Sequence, residues 1–259
     1  MGYALVTGAS KGIGKALAFE LAKIKFDVLL VARSESLLRE NAEAIAKKYG
    51  VQTGYMALDL SDPNAPQKLL DWCNKNGYII EVLVNNAGYG LSGRFEEYSA
   101  REHNAMMQLN MNTLMNLCHL FLPGLKKLPK AYILNIASST AYQSVPGLAT
   151  YAASKVFVLS FSRALAYELR NTTVSVTCSS PGSTDTDFPN RANMHGKTLK
   201  TAERFNMTAE TVARITVRAM LKKRTELITG GVNKLGAFLA WLLPKRFTEH
   251  MIAGIYQVR

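Results

Sequence analysis

The sequence predicts an α/β protein, a single domain over residues 1–259 in which helices cover a seven-stranded, mainly parallel sheet. Three observations carry this. Short apolar runs rich in β-branched residues alternate with longer amphipathic segments, the mark of successive β-α units. A glycine-rich turn joins the first run to the first amphipathic segment. No repeat, low-complexity tract or Pro/Gly/Ser-rich linker divides the chain.

A strand over residues 3–7 leads through the glycine turn into a helix over 14–25. A second apolar run gives a strand over 27–32, after which Ser34, a capping hydroxyl ahead of Glu35, opens a helix over 34–49. Strands over 54–58 and 81–85 flank a helix over 65–76, and a long helix over 101–122 leads to a strand over 132–137. A helix over 151–171 precedes the strand over 174–180. Thr208, placed ahead of the acid Glu210, caps a helix over 208–222, and 226–229 is the last strand. Between 185 and 207 the periodicity fails, with Pro189, Gly196, Asn190, Asn193 and Asn206 set among basic residues. A loop of that length in a compact domain is expected to serve as a substrate lid.

Composition narrows the function classes. Hydrophobic residues are 48% and charged residues 19% of the chain, enough apolar material for a large core. Cys73, Cys118 and Cys178 are an odd number without C-x-x-C spacing, so a reducing, cytoplasmic setting is expected, with neither disulfides nor a zinc site. No basic, cleavable leader pattern follows Met1, and the apolar stretch 235–243 is far short of the roughly 20 residues a membrane span needs. The formal charge of +12 is scattered in short clusters without interleaved aromatics, which argues for a solvated basic surface and against nucleic acid as a partner.

Directly after the first strand comes Thr7-Gly8-Ala9-Ser10-Lys11-Gly12-Ile13-Gly14, opening a helix. Glycines let the backbone turn tightly and approach a ligand, and the free N–H groups of a helix start attract a pyrophosphate. The spacing is G-x-x-x-G-x-G, not the commoner G-x-G-x-x-G. The second strand ends Val31-Ala32-Arg33 with no acid to receive ribose hydroxyls. Arg33 and Lys11 suit a 2′-phosphate, which favours NADP(H) over NAD(H); the alternative is that both are ordinary surface cations.

Three further segments fall where an open α/β sheet gathers its ligands: Asn85-Asn86-Ala87-Gly88, Asn135-Ile136-Ala137-Ser138-Ser139 and Tyr151-Ala152-Ala153-Ser154-Lys155. Tyr151 and Lys155 are four apart on a predicted helix and share one face. These segments, taken in order with the glycine loop, Asn110, and Pro181-Gly182 followed by Thr186, resemble the short-chain dehydrogenase/reductase family over nearly the whole chain. The resemblance implies a doubly wound Rossmann-type sheet and an NADP(H)-preferring carbonyl reductase or hydroxysteroid dehydrogenase-like activity. It implies a catalytic tetrad of Asn110, Ser138, Tyr151 and Lys155. Its implied cofactor contacts are Gly8, Ser10, Lys11, Gly12, Ile13, Gly14, Arg33, Asp59, Leu60, Asn86, Ala87, Gly88, Tyr151, Lys155, Pro181, Gly182 and Thr186. Tyr151 is expected as the acid/base, its ordinary pKa near 10 lowered by the Lys155 charge. Ser138 is expected to hold the carbonyl oxygen, and Asn110, preferred to Asn112 and Asn116, to anchor a relay water. Asp59 is expected to reach the adenine amine and Thr186 the nicotinamide amide, each with a cap or turn role as the alternative.

The expected substrate is an apolar ketone or secondary alcohol, steroid-, acyl- or lipid-like, met by Phe188, Met194, Phe205 and Met207 in or near the lid. No G-x-S-x-G elbow supports a hydrolase, and no histidine pair or His/Cys cluster supports a metal; His195 reads as a solvated loop residue. A different class, an NADP(H)-binding sensor or scaffold without turnover, is the alternative. A homodimer or homotetramer is expected. The stretch 235–243, followed by Pro244-Lys245-Arg246, suits packing between subunits or over the active site more than peripheral docking on an anionic membrane.

Overall fold

The computed structural model describes residues 2–185, 192 and 206–256. Strands β1 (Tyr3–Thr7), β2 (Asp27–Ala32), β3 (Thr53–Ala57), β4 (Ile80–Asn85), β5 (Ala131–Ile136) and β6 (Val174–Ser180) alternate with helices α1 (Gly12–Lys23), α2 (Glu35–Tyr49), α3 (Ala65–Lys75), α4 (Ala100–Met107), α5 (Leu114–Leu125) and α6 (Ala149–Glu168). A short parallel pair, β7 (Thr184–Asp185) with β8 (Met207–Thr208), precedes α7 (Ala209–Leu221), β9 (Glu226–Ile228), α8 (Gly231–Leu242) and α9 (Lys245–Tyr256).

Seven strands form one sheet in the order β3-β2-β1-β4-β5-β6-β9, every pair parallel. Parallel strands buried on both faces need apolar residues at successive positions, each pointing to the opposite layer. Along β2, Val28 and Leu30 join the core under α1, α2 and α7, while Leu29 and Val31 join the core under α3, α5 and α6. The strand order reverses between β1 and β4, so the loops after these two strands part and open a crevice at their carboxyl ends.

The sequence placed all seven sheet strands within a residue or so of their observed limits. Thr208 caps α7 by accepting from the Thr211 N–H, whereas Ser34 stands at the start of α2 without a side-chain cap bond. The helix expected over 101–122 is three pieces: α4, a wider π-helical turn over Gln108–Thr113, and α5, which runs on past Pro123 to Leu125. Pro123 lies in the last turn, where its missing N–H forfeits one bond without breaking the helix. Ser99 and Glu102 form a reciprocal capping box at the start of α4, an S-x-x-E signal readable in the sequence. Helices α8 and α9 have no counterpart among the expected elements. Gly231, Gly236 and Gly254 weaken their helical pattern, and Pro244, which interrupts it, stands just before the first turn of α9. The β7·β8 pair brings the two ends of the expected lid together. Of that segment Thr186, Phe188, Met194, His195 and Phe205 lie outside the described residues.

Candidate active site

A cleft of about 1280 Å³ runs over the carboxyl ends of the strands at the point where their order reverses. That exceeds the roughly 300–1,000 Å³ of common ligand pockets and leaves room for an extended cofactor together with a second molecule.

One end is the glycine loop. Gly8 and Gly12 have φ of 66° and 55°, left-handed values that suit glycine. A Cβ on Gly14 would overlap the Gly8 carbonyl oxygen and the Asn86 amide, so the loop closes only around a hydrogen atom there. The turn is braced from outside. Asn86 Nδ2 donates to the carbonyls of Thr7 and Gly8 at 2.9 and 3.3 Å, and Asn41, buried on α2, donates to those of Ala9 and Ser10 at 3.2 and 3.0 Å. The N-cap of α1 is Lys11, which makes no side-chain cap bond, so the first-turn N–H groups face the cleft without a capping side-chain oxygen. This start fits a phosphate. Gly14→Ala is expected to lower stability by about 1–3 kcal/mol and to weaken dinucleotide binding with it. Thermal unfolding with and without NADPH checks both.

At the other end, β5 delivers Ser138 and α6 delivers Tyr151 and Lys155. Ser138 is extended at φ −162°, and its Oγ accepts from the Thr140 N–H at 3.2 Å as the cap of a short 3-10 turn, Ser139–Tyr142. Lys155 Nζ lies 5.7 Å from the centre of the Tyr151 ring and donates to the Ile136 carbonyl at 3.0 Å, two residues before Ser138. Burial pushes the Lys155 ammonium down to about 8, partly opposed by the neighbouring Cys178 thiol. The three thiols are free and buried, and burial drives them up to about 12 at Cys73 and Cys118 and about 11 at Cys178.

Asn110 sits in the π-helical turn, 1% exposed. Its Nδ2 donates to the Tyr89 carbonyl at 2.9 Å and to Ser154 Oγ at 3.1 Å, while its Oδ1 accepts from the Tyr89 N–H at 3.2 Å. Ser154 Oγ in turn donates to the Tyr151 carbonyl at 2.7 Å. Both amide hydrogens of Asn110 thus hold protein atoms, which leaves one lone pair of Oδ1 for a water. Asn112 is exposed and donates to Gln108 instead.

The cleft wall includes Gly8, Ser10, Lys11, Gly12, Ile13, Gly14, Arg33, Asp59, Leu60, Asn86, Ala87, Gly88, Ser138, Tyr151, Lys155, Pro181 and Gly182, each expected at a site. Asn110 stands behind the wall, and Thr186 lies outside the described residues. Asp59 is held below its usual value by the Ser61 N–H and hydroxyl, at 3.0 and 2.7 Å, so its carboxylate serves a turn beside whatever it does in the cleft. Sequence reasoning missed four groups. Asn41 acts on the site from outside the motifs read as functional, and Ser154, inside the Tyr151–Lys155 segment, carries no expected role there. From β9, Glu226 accepts from Tyr142 Oη and Arg163 Nε, both at 2.6 Å, and so ties the Ser138 turn to α6. Although burial pushes Glu226 up, these bonds hold it below the usual carboxyl value. Finally, α8 and α9 bring Val232, Asn233, Gly236, Ala237 and Ile252 into the wall, with Asn233 pressed so close to Gly182 that no Cβ fits there.

A family model of the short chain dehydrogenase matches residues 2–196. The chain belongs to the short chain dehydrogenase family. Family relatives agree. A very-long-chain 3-oxoacyl-CoA reductase of Laccaria bicolor is 35% identical over 178 residues, 67% of this chain and 52% of that protein. The 7beta-hydroxysteroid dehydrogenase of Clostridium sardiniense is 33% identical over 184 residues, 71% of this chain and 70% of that one. The chain spans about half the length of the 3-oxoacyl-CoA reductases it matches. Among solved structures, a short-chain dehydrogenase from Sphingobium yanoikuyae in complex with NADPH superposes with a TM-score of 0.82 at 25% identity over 92% of each chain. A family member from Burkholderia phymatum in complex with NAD has the same TM-score, 0.82, at 23% identity over 92% of each chain. Both dinucleotides thus occur on this fold.

Proposed function

We propose that this protein is an oxidoreductase that moves a hydride between NADP(H) and a ketone or secondary alcohol, with Tyr151 as the acid/base. The observation that carries the reading is the buried Lys155 ammonium, 5.7 Å from the Tyr151 ring and two residues from Ser138 along its bond to Ile136, in a cleft that begins at an uncapped helix start.

A nicotinamide dinucleotide, when bound, supplies or receives the hydride. The chain's own residues do the rest. The glycine loop and the first-turn N–H groups of α1 would hold the pyrophosphate, and Lys155 the ribose near Tyr151. Ser138 Oγ donates to the carbonyl oxygen and fixes it beside Tyr151 Oη. As negative charge builds on that oxygen, Tyr151 Oη gives up its proton, and the Lys155 ammonium stabilises the tyrosinate left behind. Asn110 positions this machinery through Ser154 and Tyr89, with the free lone pair of Oδ1 available to the relay water.

For the 2′-phosphate the supporting feature is Arg33. It is exposed at the cleft edge after β2, forms no ion pair among the described residues, and no acid ends that strand. A charge-assisted bond is worth about 1.5–3 kcal/mol. Arg33→Ala is therefore expected to weaken NADPH binding roughly 10- to 100-fold and to leave NADH binding nearly unchanged. Fluorescence titration with both cofactors checks this, and tighter NADH binding by the wild type would refute the NADP(H) assignment.

An apolar substrate is supported by the surroundings of Tyr151, which packs with Met106, Val145, Leu148, Ala152 and Ala192, flanked by Tyr89, Leu91 and Ile252. A panel of ketones with the preferred cofactor tests it. Turnover of charged sugars but not of apolar ketones would reverse the substrate reading while leaving the reaction type in place.

A further inference from the structure

Helix α8 has two faces of different use. Asn233, Gly236 and Ala237 turn toward the cleft and Ala240 is buried, while Leu235, Phe238 and Leu242 point the other way and Trp241 stands at the edge. Eight of the fifteen large apolar side chains left exposed among the described residues stand on α8 and α9, with Phe238 at 54%, Trp241 at 74% and Phe247 at 53%. Scattered exposed apolar residues need no explanation, but seven of these eight, all except the cleft-lining Val232, lie outside the cleft on two consecutive helices and form a patch. Its charge is one-sided. Across α8, α9 and the turn between them stand Lys234, Lys245 and Arg246, all exposed, against a single acid, Glu249. A copy of this chain, itself carrying +12, offers poor charge complementarity to such a surface.

We propose that the outer face of α8 and the start of α9 dock on an anionic lipid surface, the apolar side chains entering the headgroup boundary and the three cations pairing with lipid phosphates. None of the described helices is long and apolar enough to cross a membrane, so the contact is one of lying on the surface. Trp241 at the rim has the amphipathic ring that favours this boundary. Because Val232 and Ile252 on the same two helices line the cleft, docking sets the cleft mouth beside the lipid, where an apolar substrate is concentrated.

The docking is independent of the proposed activity and is read without turnover. The full chain is sedimented with vesicles of phosphatidylcholine alone and of phosphatidylcholine with phosphatidylglycerol, at low and high salt. Binding is expected to the anionic vesicles, to fall at least tenfold with the double variant Lys234→Glu/Arg246→Glu, which spares Lys245 because its ammonium also donates to the Ala240 carbonyl, and to vanish with Phe238→Glu/Trp241→Glu. These side chains are exposed and outside the cleft, so both variants are expected to keep the wild-type circular dichroism and NADPH affinity. Failure to bind anionic vesicles at low salt, or equal binding by the Phe238/Trp241 variant, overturns the proposal. So does a dimer in sedimentation velocity that the same variant dissociates, since the patch would then be covered by a second copy.

Discussion

Tyr151→Phe is expected to lower kcat by roughly 10²- to 10⁴-fold while leaving the fold and NADPH affinity intact. Tyr151 is 7% exposed, and its ring belongs to the apolar cluster around Met106, Val145 and Leu148, packing that phenylalanine reproduces. What the substitution removes is Oη, the group assigned to give its proton to the developing alkoxide. Single-turnover reduction of an apolar ketone reads the chemical step apart from binding. Near wild-type turnover would move the acid/base role away from Tyr151.

The second large effect has opposite signs in activity and in stability. Lys155 is 5% exposed, and burial moves its pKa from 10.5 to about 8. At pH 7 the amine is charged in both the folded and unfolded chain, so its burial costs about 3 kcal/mol at pH 7. Between pH 8 and 10.5 the unfolded chain binds more protons than the folded one, and stability therefore rises with pH across that window. Lys155→Met removes the buried charge and leaves the Ile136 carbonyl without its donor, a loss of about 1–2 kcal/mol. The variant is thus expected to be about 1–2 kcal/mol more stable than the wild type at pH 7 and to lose that advantage toward pH 10. Its turnover is expected to fall roughly a hundredfold or more. Urea unfolding at the two pH values, with NADPH turnover alongside, separates these effects. Equal destabilisation at both pH values would contradict the depressed lysine.

What could be read from the sequence followed from local chemistry. The inner strands are legible because burial on both faces leaves them as apolar runs, as in the Val28 to Ala32 stretch of β2. Lys155 is legible because one turn of helix fixes its distance from Tyr151. The bonds that assemble the site join residues far apart in the chain: Tyr142 and Glu226 are separated by 84 positions, Arg163 and Glu226 by 63, and Asn110 and Ser154 by 44. No spacing rule reaches across such gaps. Asn86 shows a subtler limit. It was expected to meet the cofactor, and it does line the cleft, but its side-chain amide is committed to the glycine loop's own carbonyls. A motif marks the place without distinguishing a ligand contact from the brace behind it.

The carboxylate of Glu226 gives two catalytic elements one common anchor, and the anchor stands at a margin. Strand β9 is three residues long and pairs with β6 alone, at the end of the sheet. Beside the Lys155–Ile136 bond to the central strand β5, the second tie between the Ser138 turn and α6 thus runs to an edge of the sheet, while β1, β2, β4, β5 and β6 each have a strand on either side. Elements held this lightly open before the whole molecule unfolds. On heating, the Tyr142–Glu226–Arg163 contacts are therefore expected to open before the central strands.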